Sequence, residues 1–385
     1  MSVWLIEPRD PIIFRDGRPF NPTPGARAKS LPFPYPSALA GAVRTRAGQD
    51  ENGRFIGDPK ALRDIAIQGP ILRDLTTTEG WYFPAPADCL VIEDKNHKDT
   101  GRRLWARPVE TLPGEASNLP DGLQLVSVCP VMKAKPHSKV PRFWNWKNLR
   151  DWLEHPGNDA TPIALNELDI PGLTIESRIH VKIEPGAQTA QDGMLFQTSG
   201  LEFARAKDPK NLQATDEFAL AVATEASLSP GADFLGGERR MVNWREGGNL
   251  PECSPELMQK IKDQKACRLV LATPALFENG YLPKLAGMPA KVIAAAAPRA
   301  LAISGWDYTV KGKFGQKASR RLAPAGSVYF LQLQEDDKAI EEFIGKVWLQ
   351  NISDEDQDRR DGFGLALLGA WDGKLMDLEV KDENA

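Results

Sequence analysis

Histidine and cysteine are scarce in this chain, four of each in 385 residues. The cysteines (Cys89, Cys129, Cys253, Cys267) stand alone, with no C-x-x-C pair and no histidine at ligand spacing. Neither a zinc site nor a disulfide framework is expected from such spacing. His97, His137, His155 and His180 are scattered as well, which argues against a multi-histidine metal centre. The expectation is no metal and no cofactor. No apolar run approaches the roughly 20 residues needed to cross a bilayer, and the first residues lack a signal-peptide core. A cytoplasmic protein without membrane contact is expected. Catalytic patterns are missing too: no G-x-S-x-G, no H-E-x-x-H, no Walker lysine loop, no kinase set. No nucleophile–base pair can be assembled, so no enzymatic activity is expected.

Glycine (32) and proline (31) are abundant instead, which implies many loops between short elements. A composition of 42% apolar and 26% charged residues suits a globular protein long enough for two domains, each with its own core. Ten tryptophans supply large anchors for cores or partner surfaces. Charge is spread unevenly. The chain is −4 overall, yet its first 46 residues hold seven basic and three acidic side chains, a local +4. A basic segment in an acidic protein points to a located polyanion site.

Residues 4–14 (WLIEPRDPIIF) read as a first strand closed by an Arg-Asp-Gly turn. Pro36 and Ser37 suit a helix N-terminus, with Leu39, Val43 and the alanines on its apolar side. Residues 58–67 read as a further helix. The Pro- and Trp-rich stretch 72–166 reads as an insertion. Residues 175–185 (IESRIHVKIEP) alternate apolar with polar side chains, the pattern of a half-buried strand. With 194–205 (MLFQTSGLEFAR) they form a long hairpin, and 217–224 and 234–246 add two strands. The second half offers strands at 268–273, 291–305 and 327–334, an amphipathic helix at 337–349 and a glycine-led strand at 361–371. Strand, helical or loop segment, two strands, helix, strand is the order of a ferredoxin-like β-α-β-β-α-β unit. Read twice, it predicts an α+β protein of two ferredoxin-like (RRM-like) domains with insertions in the first. Their expected bounds are 1–247, including the 72–166 insertion and the 175–205 hairpin, and 248–385.

Gly236-Gly237 and Gly362-Phe363-Gly364 would let a phosphate reach backbone N–H groups; taken singly each reads first as an ordinary turn, glycine's commonest use, and their value lies in the arginines beside them. Replacing Gly236 and Gly237 with valine is expected to block such an approach and leave the fold largely intact. Residues 311–321 (KGKFGQKASRR) carry five basic and no acidic side chains. They form a solvated loop, or a nucleic-acid-contacting loop using Lys311, Lys313, Arg320 and Arg321. Residues 133–150 interleave six cations with Phe143, Trp144 and Trp146, as internal packing with a basic rim or as a surface for RNA or protein. The hairpin places Arg178 and His180 on one strand and Met194, Leu195 and Phe196 on the other, apolar groups able to wedge between bases. Residues 335–361 hold ten acids against four bases, a solvated helix face or a docking surface.

Together these residues carry a resemblance. W-x-I-E-P-R-D-P-x-I-F-R-D-G-R-P-F followed by S-L-P-F-P-x-P-S-x-x-A-G-A-x-R-T-R is similar to the N-terminal signature of one RAMP-superfamily subunit of type III-B CRISPR effector (Cmr) complexes. R-I-x-V with G-x-L-F, L-G-G-E-R-R, A-I-S-G-W-D and G-F-G-L-A-L-L-G-x-W follow in the family's order. The resemblance implies two ferredoxin-like domains, no nuclease activity and a grip on the 5′ tag of the CRISPR RNA. It implies as partners the large palm-domain subunit, the adjacent RAMP backbone subunit and, indirectly, target RNA. Carried over, the RNA-facing residues are Arg15, Arg18, Ser37, Arg44, Arg178, His180, Gly236, Gly237, Arg239, Arg240 and Gly362, Phe363 and Gly364, with Met194, Leu195 and Phe196 on a thumb-like hairpin. The alternatives are a RAMP endoribonuclease using His180 as general acid or base, the equivalent type III-A subunit, and an adaptor that binds only protein.

Overall fold

Val3, Trp4, Leu5 and Ile6 are all buried, so the first strand, Ser2–Pro8, is covered on both faces. An unbroken apolar run is what such a central strand requires. A computed structural model describes residues 1–15, 27–94, 97–110, 117–129, 135–208, 211–304, 306–307, 315–316, 318–334 and 336–377. It is α+β and rich in strand, as the sequence predicts. The chain divides into two compact units: Met1–Gly80 with Gly172–Asn249 and Ala302–Arg321, and Trp81–Pro171 with Leu250–Leu301 and Leu322–Ala385.

In the first unit, strands are hydrogen-bonded in the order Ile67–Asp74, Asn211–Thr224, Ser2–Pro8, Arg240–Glu246, Gly231–Leu235, and every pairing is antiparallel. Helix Pro36–Ala47 begins after Tyr35, whose side chain makes no cap, and buries Leu39, Ala40 and Val43. The expected helix at 58–67 is a single turn, Pro59–Leu62, because the strand Ile67–Asp74 follows almost at once. The long hairpin is present as Thr174–Glu184 and Thr189–Glu202. Its apolar residues are not half-buried as expected: Ile175, Ile179, Val181 and Ile183 are 53, 75, 40 and 50% exposed. Alternation records which side chains share a face; among the described residues nothing buries these four, whereas Leu201 at the hairpin base is buried on that face.

In the second unit, four antiparallel strands run in the order Ala290–Ala296, Val328–Leu333, Ala266–Leu271, Ala366–Ala370. The amphipathic helix forms at Asp337–Val347, capped by the Asp336 side chain and burying Ile340, Phe343, Ile344 and Val347. Residues 81–171 belong to this unit and add short strands and helix Trp146–Glu154. Phe143, Trp144 and Trp146 are buried, so the aromatics of the 133–150 stretch are packing residues. Beneath them lies a fully buried ion pair between Asp88 and Arg268. Arg268 also donates to the carbonyls of Ala370, Trp152 and Leu153, while Asp88 accepts from the indoles of Trp105 and Trp152.

Candidate nucleic-acid interface

Four stretches distant in sequence meet in the first unit. The amide of Ile12 donates to the Leu201 carbonyl (2.9 Å) and that of Leu201 to Ile12 (2.7 Å), tying the N-terminal segment to the hairpin base. The Gly237 amide donates to the Ile13 carbonyl (2.7 Å), and the Arg9 amide to the Met241 carbonyl (2.9 Å). Arg15 bridges Ser30, whose amide donates to the Ser199 hydroxyl (2.9 Å). The hairpin base, the Gly236-Gly237 turn and residues 9–15 therefore form one continuous edge.

The hairpin presents two different faces. On one, the His180 ring stacks on Phe196, centroids 5.1 Å apart and planes 14° from parallel, and His180 Nε2 lies 2.9 Å from the Thr198 hydroxyl. Exposed Arg178 lies on this face, its Nε donating to Glu176 at 2.7 Å; that hydrogen bond raises the Arg178 pKa. On the other face Ile175, Ile179, Val181 and Leu195 carry no charge and stand in solvent. Met194, Leu195 and Phe196 lie along the strand opposite His180 and Val181, while the tip is the polar turn at 185–188. They do not form an apolar tip.

In the turn, Gly236, Glu238 and Arg239 all adopt left-handed backbone (φ +71, +59 and +50°). Arg240 is tied to Glu238 at 2.9 Å. Arg239 makes no ion pair among the described residues; its guanidinium lies 4.5 Å above the Phe234 ring centre. Phe234 and Met241, absent from the sequence-derived candidates, are exposed here on the same face of the paired strands. The signal was available: two large apolar residues placed symmetrically about a Gly-Gly turn.

Other candidates lie elsewhere or are engaged. Arg44 donates through Nε and Nη2 to the Ile65 carbonyl (3.2 and 2.9 Å), pinning its helix to the segment that leads into the strand Ile67–Asp74. Ser37, half-buried, sits inside the first helical turn. Gly362, Phe363 and Gly364 are buried in the second unit. Their amides donate to Arg359, Asp358 and Pro274, so the accessible N–H groups expected of a phosphate loop are not there. Arg320 and Arg321 are exposed. Arg18, Lys311 and Lys313 lie outside the described residues.

Burial raises the thiol pKa values of Cys89, Cys253 and Cys267, which keeps these groups from acting as thiolates. Among the described residues no group of three metal-ligating side chains converges, and no helix is long and apolar enough to cross a membrane.

The model of a CRISPR-associated protein family, Cas_Cmr3, matches residues 4–371. A chain of the cryo-EM structure of a type III-B Cmr-beta bound to cognate target RNA and AMPPnP is similar at 14% identity, with TM-score 0.47 and 86% of each chain covered. A chain of the Cmr-beta structure bound to cognate target RNA is similar at 16% identity, with the same score and coverage. No curated protein matches.

Proposed function

The chain belongs to the Cas_Cmr3 family of CRISPR-associated proteins, and on that premise we propose that it is a non-catalytic RNA-binding subunit of a type III-B Cmr complex. In this reading it holds the 5′ tag of the CRISPR RNA and bridges the large palm-domain subunit to the adjacent RAMP backbone subunit, in the cytoplasm. Its two sheets support the ferredoxin-like part of the reading. The four-stranded sheet of the second unit runs second, third, first, fourth strand with antiparallel pairing, the order of a split βαβ unit. The five strands of the first unit begin the same way, second, third, first, before closing with the fifth and then the fourth at the edge. The corresponding domains are 1–247 and 248–385, although the segment 81–171 packs in the compact unit of the second and Ala302–Arg321 in that of the first.

The observation that carries the proposal is the continuous edge of residues 9–15, the hairpin and the Gly236–Arg240 turn. There Arg178 shares a face with the His180–Phe196 stack, Arg239 lies over the Phe234 ring, and Arg15 bridges Ser30 on the same edge. Cations neutralise phosphates and rings stack on splayed bases, which is how unpaired RNA is held. His180, flat on Phe196 and bonded to Thr198, serves as part of the stacking surface rather than as a general acid or base.

The test is RNA affinity measured against salt. Binding of tag-bearing RNA should weaken as salt rises, and Arg239→Ala should reduce the log–log slope by about 0.7, the loss of one single-strand phosphate contact. An affinity indifferent to salt would leave a protein-only adaptor. Labelled repeat RNA incubated with the protein in EDTA should stay intact; cleavage abolished by His180→Ala would replace the scaffold with a nuclease.

A further inference from the structure

The turn that ends the first unit's sheet carries a feature not explained by phosphate neutralisation. Phe234 lies on the outermost strand, Gly231–Leu235, directly across from Met241 in the antiparallel register. The two are 47 and 46% exposed, far more than aromatic and thioether groups used for packing. The guanidinium of Arg239, held by left-handed backbone at Glu238 and Arg239, lies 4.5 Å from the Phe234 ring centre. Arg240, its neighbour, is committed to Glu238. Arg9, exposed, donates its amide to the Met241 carbonyl, and the Asp10 carboxylate accepts the Met241 amide at 3.4 Å.

An aromatic ring with a planar guanidinium over it and a polarisable thioether across from it offers a stacking surface to a planar ligand. Aliphatic side chains would serve a protein partner as well, and the hairpin carries such a surface; a ring with a guanidinium over it discriminates in favour of a π-faced ligand. We propose that Phe234, Met241 and Arg239 form a stacking platform for one unpaired nucleobase of the bound RNA. The inference rests on the RNA-binding reading above and adds to the phosphate contact of Arg239 a surface that reads a base face.

The experiment uses the full chain and single-stranded tag RNA in which a fluorescent adenine analogue, quenched by stacking, replaces one nucleotide at a time. On the wild-type protein one position should be quenched on binding. Phe234→Ala should restore its emission and weaken affinity on the order of tenfold, with an unchanged salt slope because no charge is removed. Phe234→Trp should retain the quenching, and Phe234→Leu, which keeps the apolar contact and the fold, should behave like alanine. No RNA binding by the wild-type chain overturns both this platform and the function proposed above. Wild-type affinity and an unchanged quenching profile in Phe234→Ala and Phe234→Leu overturn the platform alone and leave the patch to a protein partner.

Discussion

A Cβ placed on Gly236 would lie 2.6 Å from the Ile13 carbonyl oxygen, and the residue sits at φ +71°. Both facts arise from the bridge that ties the turn to residues 9–15, so glycine here is a structural requirement before it is a ligand-binding one. The expectation that a Gly236→Val, Gly237→Val pair keeps its fold is therefore revised. Gly236→Val should lose about 1–3 kcal/mol of stability in chemical denaturation. Gly237→Ala meets nothing nearer than 3.4 Å and should be close to neutral. Equal stabilities for the two variants would contradict this account. Gly364 repeats the lesson, since its Cβ would lie 2.8 Å from the Ser353 amide nitrogen. The glycines were visible in the sequence, but what each makes room for lies far along the chain. Arg44 shows the same limit: its position in a basic segment was legible, its commitment to the Ile65 carbonyl was not.

At the scale of the element, the hairpin was legible and its environment was not. Period-2 alternation located both strands, yet Ile179 is 75% exposed while Leu201, on the same face, is fully buried. The difference is the contact of Leu201 with Ile12 at the hairpin base, a long-range fact. Ile179→Asp should change stability by no more than about 0.5 kcal/mol, as for a surface site. Leu201→Ala should cost about 2–5 kcal/mol through the cavity it leaves. Thermal melts of the two variants separate these cases, and a large loss in Ile179→Asp would mean the face is covered after all. The 133–150 stretch went the other way. Its mixed cations and aromatics permitted a surface or a core, and burial of Phe143, Trp144 and Trp146 selects the core.

For the molecule as a whole, many strands and helices were legible because each element announces itself locally; the sheets pair in the order second–third–first–fourth in the second unit and second–third–first–fifth–fourth in the first. What joins elements within the second unit was not. Asp88 and Arg268 stand 180 residues apart, and no local pattern pairs them. Arg268 links strand Ala266–Leu271 to the end of helix Trp146–Glu154, and Asp88 gathers two indoles onto the same point. Gly369 leaves room for the guanidinium, since a Cβ there would lie 2.9 Å from Arg268 Nη2. Removing one partner strands the other in a dry interior, where the lost Coulomb and hydrogen-bond energy is not replaced by water. Arg268→Met should therefore cost about 3–5 kcal/mol, because among the described residues Asp88 keeps only the Trp105 and Trp152 donors. Combining it with Asp88→Asn should recover part of that loss, giving a coupling energy of about 0.5–3 kcal/mol in a double-mutant cycle read by denaturant unfolding. Strict additivity would show that the two groups act separately. A coupling of the expected size makes residues 81–171 part of the second unit's core, not an appendage inserted into the first.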